Sequence, residues 1–190
     1  MEDYGWVVDF LPEGRASERL REPMAQLVGE KQFTLLEVTV KPDVRLNLGQ
    51  RVYIGKDERG EIAQIKRRIE YNELTAAANN ELPAVIRKII ETNAADYLAF
   101  FNKAGPISIR LHQLELVPGI GKKHMGQLLD ERDTKPFADF ADIQKRVTLM
   151  QDPVHLITQR IIEELSGDSK YYLFVRPPAR KEEFGTYGSR

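Results

Sequence analysis

Cysteine is absent from this sequence of 190 residues, and long apolar runs are absent as well. Without cysteine the chain forms no disulfide and no thiolate metal site, which is compatible with a reducing compartment. No apolar stretch approaches the roughly 20 residues that a membrane-spanning helix needs, and the acidic start of the chain is unlike a signal peptide. These absences predict a soluble, cytoplasmic protein without a membrane partner.

A strong net charge is also lacking, because 28 basic side chains face 29 acidic ones. The charges are nevertheless unevenly distributed. Residues 45–69 contain seven basic and three acidic side chains, and residues 170–190 contain five and two, whereas residues 130–168 contain five basic and nine acidic side chains. A local basic face on a near-neutral protein produces such an asymmetry. Solvated charge without any binding role is the alternative.

Recognisable patterns for catalysis are missing too. The histidines His112, His124 and His155 show no spacing typical of metal ligands, and no Gly-x-Ser-x-Gly pattern occurs. The glycines at positions 119 and 121 fit neither the dinucleotide-binding fingerprint nor the phosphate-binding loop of nucleotidases. The sequence therefore predicts a protein that is not an enzyme and that uses no cofactor or metal.

The most informative stretch that is present reads LVPGIGKKHMGQLL and begins at Leu116. It joins an apolar helical run, residues 112–117, to a second helical run, residues 122–132. Pro118 ends the first run, because proline lacks an N–H and disfavours helical backbone in the residue before it. A tight turn between two helical runs is the expected result.

The turn itself predicts an anion site. Gly119 and Gly121 permit positive φ angles and a close approach of another backbone, while Ile120 should point inward and hold the turn against both helices. The second helix starts with two lysines, and the free N–H groups of a helix N-terminus attract anions. A nucleic-acid phosphate is the anion expected here.

The segment LVPGIGKK resembles the hairpin of the helix-hairpin-helix nucleic-acid-binding motif, which would span about residues 111–147. The following PFADFADI, residues 136–143, is similar to the segment after the hairpin in such domains. Met125 departs from the pattern, because these motifs usually have a small residue there. The resemblance implies that phosphate is contacted by Gly119, Ile120, Gly121, Lys122 and Lys123. A helical corner that serves packing alone is the alternative.

The N-terminal part reads as a small β-barrel. Four segments rich in β-branched and aromatic residues, separated by turns that contain glycine, predict strands at residues 5–11, 33–40, 51–55 and 61–69. The segment LNLGQRVYIG resembles oligonucleotide/oligosaccharide-binding (OB) barrels, and an SH3-like barrel is the alternative.

Helices are predicted beyond the barrel. Apolar residues at helical spacing indicate a helix that starts at Pro83 and continues to residue 101, and Asp152-Pro153 and Gly167 should delimit the last helix. A strand at residues 171–175 is expected to return to the barrel as its fifth strand. The fold class is α+β, with a barrel of residues 1–75 and 169–180 and a helical domain of residues 80–168.

One face of the barrel is a second candidate for nucleic-acid binding. Aromatic rings stack on bases and cations follow the phosphate backbone, and the candidates are Arg51, Tyr53, Lys66, Arg67, Arg68 and Arg176. Arg176, Arg180 and Lys181 would lie beside this face if the last strand joins the barrel. For Tyr53, packing in the core is the alternative.

Across nearly its whole length the chain resembles a family of archaeal proteins of unknown function that is associated with RNA binding. The opening YGWVVDFLPEG and the hairpin ELVPGIGKK carry this resemblance. It implies a non-catalytic, sequence-tolerant nucleic-acid binder, RNA before DNA, with a link to translation or ribosomal RNA maturation. A DNA-binding accessory protein of repair or recombination and a protein-interaction scaffold are the alternatives.

Overall fold

The protein is represented by a computed structural model that describes residues 2–15, 21–167 and 169–177. Within these ranges a five-stranded antiparallel sheet comes first along the chain, and five α-helices follow it. A short two-stranded ladder lies between the second and third helices. The α+β class predicted from the sequence is therefore confirmed.

The five-stranded sheet is curled into a half-barrel. In chain order its strands are β1 (Tyr4–Leu11), β2 (Met24–Gly29), β3 (Leu35–Val40), β4 (Arg51–Tyr53) and β5 (Ile62–Arg68). Their spatial order is β4-β1-β2-β3-β5. The register shifts between Val7 and Asp9 and twice more in the pairing of β3 with β5. Such irregularities bend and twist a sheet, which suits its curled shape.

Both faces of the three central strands are largely buried, whereas β5 is mostly exposed. On one face Leu27, Val38 and Val52 belong to an apolar cluster formed by the strands and the loops between them. On the other face Trp6 and Val28 belong to a larger cluster that includes the helices. Alternate residues of a strand point to opposite faces, so the same few strands supply both clusters.

The helices are bounded by recognisable caps. In chain order they are α1 (Ala76–Thr92), α2 (Ala94–Lys103), α3 (Lys122–Thr134), α4 (Phe140–Arg146) and α5 (Pro153–Ser166), and the short ladder consists of β6 (Pro106–Ser108) and β7 (Leu111–His112). Asp152 caps α5 through a hydrogen bond from the Val154 N–H, and Gly167 ends it with a φ of 87°. The predicted limits of the last helix are confirmed.

Buried polar groups attach the start of α1 to the sheet. The Gln26 side chain, which is fully buried, accepts a hydrogen bond from the Thr75 N–H at 2.9 Å and donates one to the Glu73 carbonyl at 3.1 Å. The Thr75 hydroxyl also donates to Asp9 Oδ2 at 2.6 Å and accepts from the Ala78 N–H. Because buried polar groups need such partners, they fix where α1 leaves the sheet.

Helices and sheet share one core, which crosses the predicted domain boundary. The larger cluster contains Trp6 and Leu35 from the sheet together with Ile89, Phe101 and Ile157 from three helices. The division into residues 1–75 with 169–180 and residues 80–168 stays a prediction. The contact between the two parts is apolar and extensive.

Two predictions about the strands were wrong. Residues 171–175 do not form a strand, because the backbone N–H groups of Leu173, Phe174 and Val175 donate to the Glu164 carboxylate instead of to a neighbouring strand. The fifth strand of the sheet is β2, which the sequence analysis missed. The C-terminal segment still reaches the sheet region, since the Arg176 N–H donates to the Gln32 carbonyl at 3.2 Å.

The helix predicted from Pro83 to residue 101 is also corrected. Pro83 lies inside α1 rather than at its first position, and the N-cap is Thr75. At Asn93, with φ −111° and ψ 35°, the helical path is interrupted, and α2 begins at the next residue. One continuous apolar period therefore covers two helices, because both bury their stripes in the same core.

Candidate functional site

The predicted turn between residues 117 and 122 is present and is anchored by one apolar side chain. Ile120 is only 3% exposed and belongs to the large core cluster. Its N–H donates to the Val117 carbonyl at 3.0 Å, which closes the turn. Gly119 has a φ of 81°, as predicted, and a Cβ there would lie 3.2 Å from Leu156 Cδ2. The turn is thus attached to the core through Ile120.

The outer side of the turn leads into α3. Gly121 is the N-cap and has no side chain to accept a hydrogen bond from the first turn, in which no acidic residue occurs. Lys122 and Lys123 are exposed at the first two helical positions. The first N–H groups of a helix have no partner within the helix, so donors and positive charge coincide here.

Gly121 itself differs from the prediction. Its φ is −84°, which any residue adopts, and no atom lies within 4 Å of a Cβ built on it. The fold therefore requires glycine at Gly119 but not at Gly121. The space around Gly121 is open, so packing does not require a glycine at this position.

The first arm of the hairpin is shorter than predicted. Residues 112–117 contain a single 3-10 turn, Gln113–Leu116, instead of an α-helix. His112 caps this turn, since its Nδ1 accepts a hydrogen bond from the Leu114 N–H at 3.1 Å. The reason is local, because His112 still pairs with Pro106 in the β6–β7 ladder and cannot be helical. The hairpin thus joins a 3-10 turn to a 13-residue α-helix.

A buried arginine connects the hairpin to the C-terminal segment. Arg160, on α5, donates through Nη1 to the Leu116 carbonyl at 3.0 Å and through Nη2 to the Tyr171 carbonyl. Its Nε donates to Glu164 Oε1 at 2.8 Å. Leu116 lies at the start of the hairpin sequence, and Tyr171 lies beyond the C-terminus of α5. One guanidinium therefore holds both segments.

The predicted basic residues of β5 have different environments. Arg67 is engaged by Glu37 at 3.4 Å and by Glu73, and the hydrogen bond with Glu73 is the main cause that raises the pKa of Arg67. Lys66 also has an interaction partner. Arg68 is exposed, and its Nη2 donates to the Arg176 carbonyl at 3.4 Å. The structure therefore brings Arg68 and Arg176 together, although the strand on which that expectation depended is not formed.

Arg51 and Tyr53 lie on the edge strand β4, which is at the other end of the strand order from β5. Arg51 Nη2 donates to Glu30 Oε1 at 3.0 Å, and its guanidinium lies 3.4 Å from the centre of the Tyr4 ring. The hydrogen bond from Arg51 is the main reason that the pKa of Glu30 is lowered. Tyr53 donates its hydroxyl to Asp57 at 3.0 Å. Both predicted residues are thus held by local partners.

A groove that the sequence analysis did not identify lies beside Arg68 and Arg176. It has a volume of about 950 Å³ and runs between the end of β5, the 3-10 turn Tyr71–Glu73, the C-terminus of α5 and residues 170–177. Its aromatic and basic lining consists of Tyr71, Tyr171, Tyr172, Arg68, Lys170 and Arg176. The tyrosine pair in the sequence was the available signal, but it was interpreted as part of a strand.

A smaller hollow of about 350 Å³ adjoins the groove at the open side of the half-barrel. Lys56 and Arg59, which follow β4, line it together with Arg68 and Arg176. Because Arg68 and Arg176 line both cavities, the two form one stretch of surface with several cations. Arg180 and Lys181, which were expected beside it, lie outside the described residues.

The described residues form neither a metal site nor a membrane-spanning helix. They contain no group of three or more His, Asp or Glu side chains placed to hold a metal ion. None of their helices has the length and apolar character needed to cross a membrane. His124 and His112 have separate local contacts. His124 Nδ1 lies 3.2 Å from the Gly119 carbonyl oxygen, and His112 caps the turn before the hairpin.

Comparisons with known proteins place the sequence among uncharacterised archaeal relatives. Residues 1–176 match the model of a family described as "Protein of unknown function (DUF655)". The uncharacterized protein MJ0038 of Methanocaldococcus jannaschii is 44% identical over 177 residues, which are 92% of this chain and 80% of that protein. The crystal structure of Af1531 from Archaeoglobus fulgidus, described with the same family, is similar with a TM-score of 0.87 and 47% identity. The match covers 92% of this chain and 100% of that one.

Proposed function

The chain belongs to the DUF655 family of proteins of unknown function, and we propose that it binds nucleic acid through the phosphate backbone, RNA before DNA, without catalysing a reaction. We expect this binding to tolerate different nucleotide sequences, because backbone N–H groups and lysines contact phosphate and do not read bases. A role in translation or ribosomal RNA maturation is the biological setting that fits such a protein. The proposal includes the assignment of the hairpin as a helix-hairpin-helix motif and of the half-barrel as OB-like.

One observation carries the proposal. At the start of α3 an uncapped helix N-terminus, an open space in front of Gly121 and the exposed side chains of Lys122 and Lys123 coincide. Helix N-termini attract phosphate through their N–H groups and the helix dipole. The turn is anchored by the buried Ile120, so these donors are held in place before a ligand arrives. Preorganised donors lose little entropy on binding.

The electrostatic setting supports local rather than global attraction. A net charge of −1 gives little long-range steering towards a polyanion. Affinity must therefore come from a few close contacts, and each contact with phosphate releases counterions. The salt dependence of binding then reports the number of such contacts directly.

The experiment is fluorescence anisotropy with labelled single-stranded RNA, duplex RNA, single-stranded DNA and duplex DNA at several salt concentrations. The wild type is compared with Lys122→Glu/Lys123→Glu. Loss of two contacts to a single strand should reduce the salt slope by about 1.4, at about 0.7 per phosphate. Lys103→Glu/Lys145→Glu is the matched control, because it changes the charge equally at two exposed lysines on α2 and α4.

The outcomes separate the three functions. Tight RNA binding that only the hairpin variant weakens supports the proposal, and preference for duplex or branched DNA favours the repair or recombination accessory. Absence of binding to all four ligands by the folded wild type would overturn the proposal in favour of a protein-interaction scaffold. The exposed apolar side chains of Ile109 and Leu149 are the observation that keeps this second class open.

A further inference from the structure

We propose that the groove between β5, α5 and residues 170–177 binds unpaired bases of the RNA, with tyrosine rings as stacking partners. This inference rests on the proposed function and adds a second contact region to it. The hairpin would hold phosphate, and the groove would hold the bases of a single-stranded segment. Nothing in the hairpin offers an aromatic surface, so the two regions have different chemistry.

Three tyrosines give the groove its aromatic character. Tyr71, Tyr171 and Tyr172 all line it and are partly exposed. Within the part of the chain that the structure describes, no hydrogen bond occupies their hydroxyl groups. Partly exposed tyrosines whose hydroxyl group has no partner are typical of surfaces that contact a partner. Stacking on such rings tolerates any base, because every base has a π face.

The charge of the groove is complementary to a nucleic-acid strand. Arg68, Lys170 and Arg176 are exposed along its wall. The amine of Lys170 lies 5.4 Å from the centre of the Tyr171 ring, so a cation and a stacking face are adjacent. Among the described residues neither Lys170 nor the Arg176 side chain has an acidic partner within ion-pair distance. The cations are therefore available to a ligand.

The two acidic residues of the lining do not oppose this charge strongly. Glu164 is 1% exposed, and its carboxylate is occupied by Arg160 and by three backbone N–H groups. Glu70 takes part in a reciprocal capping interaction with Glu73 at the 3-10 turn. Glu70 is exposed, so the exposed lining contains three cations, Arg68, Lys170 and Arg176, and one carboxylate. The net accessible charge of the groove is positive.

The wall of the groove is held rigidly. Glu164 accepts hydrogen bonds from Leu173, Phe174 and Val175 at 2.7, 3.0 and 2.8 Å, and Phe174 packs against Phe100 with ring centres 5.1 Å apart. The volume of about 950 Å³ is at the upper end of ligand-sized clefts, so more than one base has room. A preformed platform of this size suits single-stranded RNA.

The test combines photocrosslinking with binding. An oligouridylate of about 12 nucleotides, within the length that single-strand-binding domains cover, carries 4-thiouridine and is irradiated with the full-length protein. Crosslinked peptides are then identified by mass spectrometry. The expected crosslinks are at Tyr71, Tyr171 or Tyr172. Crosslinks confined to other peptides would overturn the inference.

Binding of the same oligomer to variants supplies the second readout. Tyr171→Ala and Lys170→Glu should weaken binding about 5-fold or more, as loss of one stacked base does, while Tyr171→Phe, which keeps the ring, should change it little. Lys103→Glu is the matched charge control outside the groove. An oligomer of the same length with abasic sites should bind wild type and Tyr171→Ala equally. Equal loss with both oligomers would show that stacking is not involved.

Failure of the inference differs from failure of the proposed function. If RNA is bound and the hairpin lysines matter, but the groove variants bind like the wild type, then the groove is not a base-binding site and the hairpin proposal stands. If the wild type binds no nucleic acid, both proposals fail together. Thermal unfolding of each variant shows that a loss of binding is not a loss of the fold.

Discussion

The guanidinium of Arg160 donates a hydrogen bond to the carboxylate of Glu164, at 2.8 Å between Nε and Oε1 and one helical turn apart on α5. The two residues are 7% and 1% exposed. A buried ion pair is strongly dependent on its remaining hydrogen bonds. Here they run to the Leu116 carbonyl on the hairpin side and to residues 171–175 on the groove side. The pair therefore links the two candidate binding regions.

Removal of the buried carboxylate should destabilise the protein severely. Glu164→Ala leaves Arg160 without its buried counter-ion and three backbone N–H groups without an acceptor, and breaking such a buried pair costs about 3–5 kcal/mol. Urea denaturation followed by circular dichroism measures this loss. Trypsin should also cleave faster after Lys170, because the segment that follows it loses its attachment.

The neighbouring glutamate provides the control for this prediction. Glu163 is exposed and lies 3.7 Å from Arg160 Nη1, so Glu163→Ala should change the free energy of unfolding by no more than about 0.5 kcal/mol. Equal effects of the two substitutions would show that the buried position of Glu164 has no special weight.

Substitution of the two hairpin glycines should affect stability to different degrees. Gly119→Ala forces a Cβ into a backbone with a φ of 81° and to 3.2 Å from Leu156, and should cost about 1–2 kcal/mol. Gly121→Ala meets neither strain nor contact and should cost less, about 0.5 kcal/mol, because alanine is a poorer N-cap than glycine. Thermal unfolding distinguishes the two variants. A similar loss of stability in both would contradict this description of the turn.

For nucleic-acid binding, in contrast to stability, we expect a clear effect of substitution at Gly121. A methyl group there would stand in front of the α3 N-terminus, where the proposed phosphate approaches closely. Gly121→Ala should therefore weaken RNA binding measurably under conditions in which the variant stays folded. Gly121→Ala that binds RNA like the wild type would mean that the ligand does not contact this backbone.

The local signals in the sequence were sufficient for much of the fold. The strand at residues 5–11 and the helix after Asp152-Pro153 were predicted because alternation, capping and breaker residues act within a few positions. The turn at Gly119 was predicted for the same reason. These elements are defined by contacts that are close in the sequence.

Other features depend on contacts that are distant in the sequence, and they were missed. β2 becomes a central strand only between β1 and β3, and its six residues carry no distinctive turn signal of their own. Residues 171–175 have the composition of a strand, but the carboxylate of Glu164 captures their N–H groups. The groove combines residues 68–72, 164–167 and 170–177, and such a combination cannot be inferred from periodicity.

An exposed leucine in a left-handed backbone offers a way to stabilise the protein. Leu149 has a φ of 59° and is 83% exposed, a conformation that asparagine tolerates better than leucine. Leu149→Asn should raise the free energy of unfolding by about 0.5–1 kcal/mol, and thermal unfolding measures it. Leu48→Asn is the control, since Leu48 is also exposed but has no positive φ. A gain in both variants would point to lost surface apolarity instead of backbone strain.

Acidification should loosen the start of the hairpin through His112. Burial, and next the charge of Arg132, lower the pKa of His112 below its usual 6.5, while Glu115 acts in the opposite direction. The neutral imidazole is also needed because Nδ1 accepts the hydrogen bond from Leu114.

Since the folded state binds fewer protons at His112 than the unfolded state, this contribution to stability is complete above pH 6.5 and is lost as the pH falls through the lowered pKa. His112→Asn keeps an acceptor at the cap but does not titrate. The stability of His112→Asn relative to the wild type should therefore increase as the pH falls from 8 to 5. These two values lie roughly on either side of the usual histidine pKa. Urea denaturation at both pH values measures the difference, and an NMR titration of the His112 ring gives its pKa directly. A pKa at or above 6.5, or a difference that does not change with pH, would contradict the neutral cap.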